Sequence, residues 1–274
     1  MSFPIVVRFQ DLPSPSLLLD ARPGAAAFAR GHLPLAQHAD LDRLLSLASA
    51  PGLDPAQGGR HPLPTPAQWS AQLGAWGVTR ETSVVAYDDA HGANGAARLW
   101  WMLRAFGHER AALLDGDLPA GLEPGPSDPA TAPRPCPAYP GDRWLWPTVT
   151  LDQVDRLRQD PDWKILDVRA RPRYQGVTEP IDPVAGHIPG AVNLPFTENL
   201  DSQGRFKAPD ILREMYRALL GGTSPEHLVV HCGSGVTACH TLVALERAGL
   251  TGGALYVGSW SEWCRNPLPR IPPA

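Results

Sequence analysis

The chain has 274 residues, 43% of them hydrophobic, which is enough for two separate cores. Its formal charge of −4 at pH 7 gives no footprint for nucleic acid or an anionic membrane, and apolar runs such as Leu17–Leu19 are too short to span a bilayer. Four cysteines in a chain this long do not make a disulfide framework, and the start "MSFPIVVRFQ" carries no secretion pattern, so a reduced cytoplasmic setting is expected.

In chain order, the first half offers "SLLLDARPG" (16–24), "RGHLPLAQHADL" (30–41), "SVVAYDDAHGANGAARLWWMLRAFG" (83–107) and "AALLDGD" (111–117). A run rich in Pro and Gly follows, "EPGPSDPATAPRPCPAYPG", which can hold neither a helix nor a central strand. The second half then repeats the series: "WKILDVRARPRY" (163–174), "AGHIPGAVNLP" (185–195), "HLVVHCGSGVTACHTLVALERAG" (227–249) and "GALYVGSWSEW" (253–263). Asp20 matches Asp167, Gly31-His32 matches Gly186-His187, and Asp88 falls where Cys232 sits. The order of matches predicts two copies of one domain, over 1–122 and 145–274, joined by a linker over 123–144.

In the second copy, Ile165–Val168, Leu228–Val230 and Ala254–Val257 read as buried strands. Ile211–Leu220 and Val236–Ala248 read as helices, the latter stopped by Gly249. Uninterrupted apolar strands alternating with helices predict an α/β fold, a parallel sheet covered by helices on both faces. Ligands of such sheets bind beyond the carboxyl ends of the strands, where Cys232 stands.

The loop Cys232-Gly233-Ser234-Gly235-Val236-Thr237 joins a strand to a helix. Gly233 and Gly235 permit unusual backbone angles, so that successive N–H groups can turn toward one sulfur, and the helix aims its positive end at the same place. A thiolate there is expected to ionise more readily than free cysteine. A cysteine phosphatase would need an Arg six residues on to grip phosphate; that position is Ala238, and no other loop residue is basic. Sulfur transfer through a persulfide needs only the thiolate and inward amides. Cys136, Cys239 and Cys264 are expected to be small buried hydrophobes. His231 and His240 flank Cys232 and Cys239 at spacings that match no usual zinc pattern, so no metal is expected.

These residues resemble the tandem form of the rhodanese superfamily of sulfurtransferases. The resemblance rests on "LLDARPG", "YDDAHGANGAARLWWMLRAFGH", "LDVRARPRYQG", "AGHIPGAVNLPF", "CGSGVTA" and "GSWSEW", spread over nearly the whole chain. It implies two rhodanese-like domains, the first inactive because Asp88 replaces the cysteine. The loop version Cys-Gly-Ser-Gly-Val-Thr is that of members using 3-mercaptopyruvate, while thiosulfate-using members carry a basic pair after the cysteine. The departing pyruvate enolate needs a proton, and the resemblance points to Ser234 as the hydroxyl, supported by His61 in "RHPLP" and Asp42 in "HADLD". It also implies Arg173 as the donor-binding residue, with Gly233, Gly235, Val236 and Thr237 lining the cradle. A second Arg usual in a "Glu-Pro-x-Pro-Arg" run is absent; the matching position is Pro183.

The expected activity moves sulfur from 3-mercaptopyruvate to cyanide or a thiol acceptor, such as a thioredoxin-like protein or a low-molecular-weight thiol. No cofactor is implied. Thiosulfate as donor, or a non-catalytic sulfur-carrier or redox-sensing module, are the alternatives. The paired Gly-His turns are expected to be structural because the inactive copy shares them. Trp100-Trp101, Trp260 and Trp263 are expected in cores or between domains.

Overall fold

The computed structural model describes residues 3–116, 118 and 135–271. The chain divides into two compact units, residues 1–47 with 63–146, and residues 48–62 with 147–274.

The first unit contains β1 (Val6–Val7), β2 (Leu17–Asp20), α1 (Ala25–Arg30), β3 (Gln37–His38), α2 (Pro66–Ala75), β4 (Val84–Tyr87), α3 (Gly95–Ala105) and β5 (Ala111–Leu114). Its parallel sheet has the order β1-β5-β4-β2-β3. Thr65 starts α2 with a reciprocal cap: its hydroxyl accepts from the Gln68 N–H at 3.3 Å, and the Gln68 side chain accepts the Thr65 N–H at 2.9 Å. Every residue of β4 and β5 is buried, so both sheet faces are covered. Trp100 and Trp101 of α3 are fully buried; the Trp100 indole donates to the Ala111 carbonyl at 3.1 Å. Both pack against Trp146, with ring centroids 5.7 and 6.4 Å apart.

The second unit contains β6 (Thr148–Val149), α4 (Leu151–Leu157), β7 (Lys164–Asp167), α5 (Arg171–Tyr174), β8 (Val192–Asn193), α6 (Pro209–Leu220), β9 (Leu228–His231), α7 (Ala238–Ala248), β10 (Ala254–Tyr256) and α8 (Ser259–Trp263). Its sheet, also parallel, runs β6-β10-β9-β7-β8, the same order strand for strand. Val154 of α4 and Trp260 and Trp263 of α8 share a core with Ile165, Val229 and Ala254. Leu228 and Val230 alternate to the other face and are buried there. Gly249 ends α7 in the left-handed conformation, as expected.

Two segments depart from the domain boundaries read in the sequence. Residues 48–62 belong to the second unit although they precede most of the first. Of the 123–144 linker, residues 123–134 lie outside the described residues. The remainder is bonded into the first unit: the Cys136 N–H donates to the Gly74 carbonyl at 2.9 Å, and Tyr139 is buried with its N–H on the Ser70 carbonyl at 3.0 Å. Proline removes helix and ladder hydrogen bonds but leaves isolated N–H groups such as these free to dock on the carbonyls of α2.

Among the described residues, no helix is long and apolar enough to cross a membrane.

Candidate active site

The site lies at the carboxyl ends of β7 and β9, which pair with Asp167 opposite His231. From β7 the chain moves outward to β8 on one side and then returns to β9 on the other, so this is the switch point of the sheet. Cys232 follows β9 directly and is 3% exposed.

Three contacts from the segment around α8 fix the backbone of Cys232 and Gly233. The Cys232 N–H donates to Ser259 Oγ at 3.2 Å, the Cys232 carbonyl accepts the Trp260 N–H at 3.1 Å, and the Gly233 carbonyl accepts the Ser261 N–H at 2.8 Å. Ser259 adopts a left-handed backbone (φ 53°), uncommon for a residue with a side chain. Its hydroxyl donates to the Tyr256 carbonyl at 2.8 Å while accepting from Cys232, which fixes the side chain.

The two loop glycines serve different ends. Gly235 has φ +74°, and a Cβ there would meet the Val257 carbonyl oxygen at 2.3 Å, so no other residue fits without moving the loop. Gly233 is not in the left-handed region, contrary to the expectation from sequence. It is packed against cations instead: a Cβ there would meet the Arg173 Nη2 and Nη1 at 3.4 and 3.5 Å and the Arg60 Nη2 at 3.5 Å, ordinary contact distances. Val236 is buried, and its carbonyl accepts the Cys239 N–H at 3.1 Å. Thr237 precedes α7 without capping it through its side chain.

The cations belong to a buried ion network. Asp167 accepts Arg169 Nη2 at 2.6 Å and the Arg169 N–H at 3.0 Å. Burial by itself pushes the Asp167 carboxyl up, but the Arg169 guanidinium beside it outweighs this and holds the group below the usual carboxylate range. Burial also pushes the His231 imidazole down, which keeps it neutral at pH 7. Arg173 of α5 grips Glu179 through Nη2 at 2.6 Å and Nε at 3.2 Å. Asp182 receives Arg60 Nη1 and, at 2.9 Å, Arg265 Nη1 on the same oxygen. Its other oxygen is buried with no hydrogen bond among the described residues.

Of the residues expected to relay a proton, Ser234 (7% exposed) and His61 both lie in the second unit, His61 on the 48–62 segment. Asp42 lies in the first unit, exposed on a turn where its N–H donates to Asp40 Oδ1 at 3.0 Å. Sequence reasoning passed over Arg60, Glu179, Asp182 and Ser261. The only available signal for Arg60 was its place beside His61 in "RHPLP". Of the cysteines, Cys239 and Cys264 are buried as expected, whereas Cys136 is half-exposed.

The first unit contains the same strand-to-helix turn after β4, with Asp88 in the cysteine's place. Asp88 is 4% exposed and accepts four backbone N–H groups: Ala90 at 2.9 Å, Gly92 at 2.8 Å, Asn94 at 3.1 Å and Ala96 at 3.1 Å. Other contacts are duplicated in both copies. Arg22 grips Asp20 as Arg169 grips Asp167. His32 stacks on Phe28 and His187 on Tyr174, with ring centroids 3.9 Å apart in each pair.

Comparison with known proteins agrees with this duplication. The family model described as a rhodanese-like domain matches twice, at residues 8–123 and 150–266. A Pseudomonas aeruginosa protein named "Probable 3-mercaptopyruvate sulfurtransferase" is 45% identical over 255 residues, covering 91% of this chain and 87% of that one. The thiosulfate sulfurtransferase of Mus musculus is 37% identical over 212 residues, covering 76% of this chain and 71% of its own. Among solved structures, 3-mercaptopyruvate sulfurtransferase from Leishmania major superposes with a TM-score of 0.80 at 30% identity, covering 95% of this chain and 74% of that one. Doubled sheet, doubled turn and doubled family match lead to one conclusion: this chain is a tandem-domain member of the rhodanese family of sulfurtransferases.

Proposed function

We propose that this protein transfers sulfur from 3-mercaptopyruvate to cyanide or a thiol acceptor through a persulfide on Cys232, releasing pyruvate. The observation that carries the reading is the position of Cys232: it stands at a strand end whose duplicate holds a buried carboxylate on four amides. A thiol at that strand end supplies a nucleophile that can take up a further sulfur, which a carboxylate cannot do.

The Cys232 thiolate attacks the sulfur of the donor. A sulfur–sulfur bond forms as the donor's carbon–sulfur bond breaks, and its electron pair passes to the pyruvate enolate. The enolate carbon takes up a proton, matching the one that the donor thiol gives up. In this reading Ser234 delivers the proton, His61 and Asp42 support the hydroxyl, and Arg173 pairs with the donor carboxylate. The backbone of Gly233, Gly235, Val236 and Thr237 lines the cradle. The acceptor thiol, on a thioredoxin-like protein or a small molecule of the cytoplasm, then attacks the outer sulfur and regenerates Cys232.

Intact-protein mass spectrometry after mixing with each donor tests the reading. Mercaptopyruvate should add one sulfur atom to Cys232, and Cys232→Ser should gain none and lose turnover by roughly 10⁴-fold or more. Undiminished turnover in Cys232→Ser would remove the proposal. The guanidiniums packed against Gly233 also suit a dianion, which makes thiosulfate the second reading. A higher kcat/KM for thiosulfate than for mercaptopyruvate would establish it in place of the first.

A further inference from the structure

We infer that His231, the last residue of β9, is a positioning residue for the transfer: its imidazole holds the carbonyl of Cys232 and so sets the reactivity of that thiol. The inference rests on the sulfur-transfer reading above and deepens it.

His231 is fully buried, and its Nδ1 stands 3.3 Å from the Cys232 carbonyl oxygen. A carbonyl only accepts, so Nδ1 carries the hydrogen and donates it. Burial keeps the ring neutral, which leaves Nε2 as a lone pair. Nε2 is buried with no hydrogen bond among the described residues, and Asp167 Oδ2, 3.8 Å away, is already engaged by Arg169. The other titratable groups facing the ring are His187 and Tyr256, the latter with its ring centroid 6.3 Å off. A buried nitrogen without a partner costs stability, and an apolar side chain would avoid that cost. What the imidazole offers, and an apolar residue lacks, is a donor on the backbone of the nucleophile.

The first unit supplies the contrast. There β4 ends at Tyr87, which pairs with Asp20 as His231 pairs with Asp167. The backbones match: the Tyr87 carbonyl accepts the Ala21 N–H at 2.8 Å, and the His231 carbonyl accepts the Val168 N–H at 3.0 Å. The side chains do not. The Tyr87 hydroxyl accepts the Leu33 N–H at 3.1 Å and so braces a loop from earlier in the chain. Where the next residue is Asp88 the strand end supports the fold; where it is Cys232 the strand end holds the next peptide.

That contact completes the fixing of Cys232. Its N–H is held by Ser259 Oγ, and its carbonyl takes both the Trp260 N–H and the imidazole. With N–H and carbonyl both fixed, the backbone angles of Cys232 are set, and with them the direction in which its side chain leaves. Two donors on one carbonyl also polarise the peptide, so the Gly233 N–H on its far side becomes a stronger donor.

The test uses His231→Asn, His231→Gln and His231→Leu. The amide nitrogen of Asn stands where Nδ1 does, and that of Gln where Nε2 does. One readout is the rate of Cys232 alkylation by iodoacetamide, followed by peptide mass spectrometry, which needs no donor. The other is kcat and KM with 3-mercaptopyruvate. His231→Gln and His231→Leu should slow alkylation and lower kcat roughly 10-fold with KM near wild type, whereas His231→Asn should stay within about 3-fold of wild type in both. Asn leaves a larger void than Gln, so a role in packing alone gives the opposite order, with the Asn variant the more impaired. That order, equal rates in the Asn and Gln variants, or wild-type rates in all three overturn the inference; if the Leu variant does not fold, the Asn and Gln pair decides. Wild-type protein that takes no sulfur from mercaptopyruvate or thiosulfate overturns the parent reading, and the alkylation order then still decides whether His231 governs the thiol.

Discussion

The turn after β4 and the turn after β9 are one piece of architecture put to two uses. In the first unit a carboxylate fills the turn permanently. Asp88 takes up four amide donors that would otherwise be buried without partners. In the second unit the corresponding residue is a thiol, whose size and nucleophilicity let it accept a further sulfur. The surroundings diverge in step. Four residues after Arg169 stands Arg173, with Glu179 to hold it, whereas four residues after Arg22 stands Ala26. A duplicated fold thus keeps the strand-to-helix turn in both copies and gathers guanidiniums around the loop of only one. The comparison also explains why Asp20–Arg22 and Asp167–Arg169 persist in parallel: each clamps a strand end irrespective of chemistry.

The largest stability change should come from emptying the structural turn. Asp88→Ala strands four amide donors and should cost about 4 kcal/mol of stability in the first unit, measured by denaturant unfolding. Sulfur uptake by Cys232 at a temperature where the variant is folded should be retained. Wild-type stability in this variant would mean that the amides are satisfied without the carboxylate, and the comparison of the two turns would break.

Gly235→Ala should cost about 3 kcal/mol, because the left-handed backbone and the Val257 carbonyl both resist a side chain. Unlike Asp88→Ala, it should also depress turnover, since the displaced loop is the one bearing Cys232. Normal activity with normal melting would show that the loop tolerates rearrangement.

The smallest effect is a pH dependence confined to the first unit. Helices α3 and α7 end in the same glycine turn: Gly107 precedes His108, whose N–H donates to the Leu103 carbonyl at 2.9 Å, and Gly249 precedes Leu250, whose N–H donates to the Leu245 carbonyl at 2.9 Å. Burial lowers the His108 imidazole to about 4. Between that value and the unfolded value near 6.5 the unfolded chain binds a proton that the folded chain does not, so stability falls as pH drops through this window. The loss should reach at most about 3 kcal/mol at the acid end. His108→Leu, which copies the residue of the second unit, should flatten this part of the melting-temperature profile; an unchanged slope would assign the acid sensitivity to other groups.

Much of this was legible in the amino acids. The apolar runs at Leu228–Val230 and Ile165–Val168 marked the central strands to within a residue, because a strand buried on both faces leaves a continuous pattern. Gly249 marked the end of its helix, and the ordered repeat of Asp20, Gly31-His32 and Asp88 against Asp167, Gly186-His187 and Cys232 gave the duplication. Helix α7 starts at Ala238, two residues later than its periodicity suggested, because the loop uses Val236 and Thr237 for its own turn.

The sequence by itself determined the class of fold, its doubling and the place of Cys232 at a strand end, since each is written in local periodicity and in motifs a few residues long. Only the tertiary structure decided that residues 48–62 belong to the second unit, that Gly235 alone of the two loop glycines needs the left-handed turn, and that Arg60 stands beside a glycine more than a hundred residues away. The physical reason is that burial pattern and turn chemistry act between near neighbours in the chain. An ion network is set by which side chains the packed backbone brings within a few ångströms, and no local pattern records that distance.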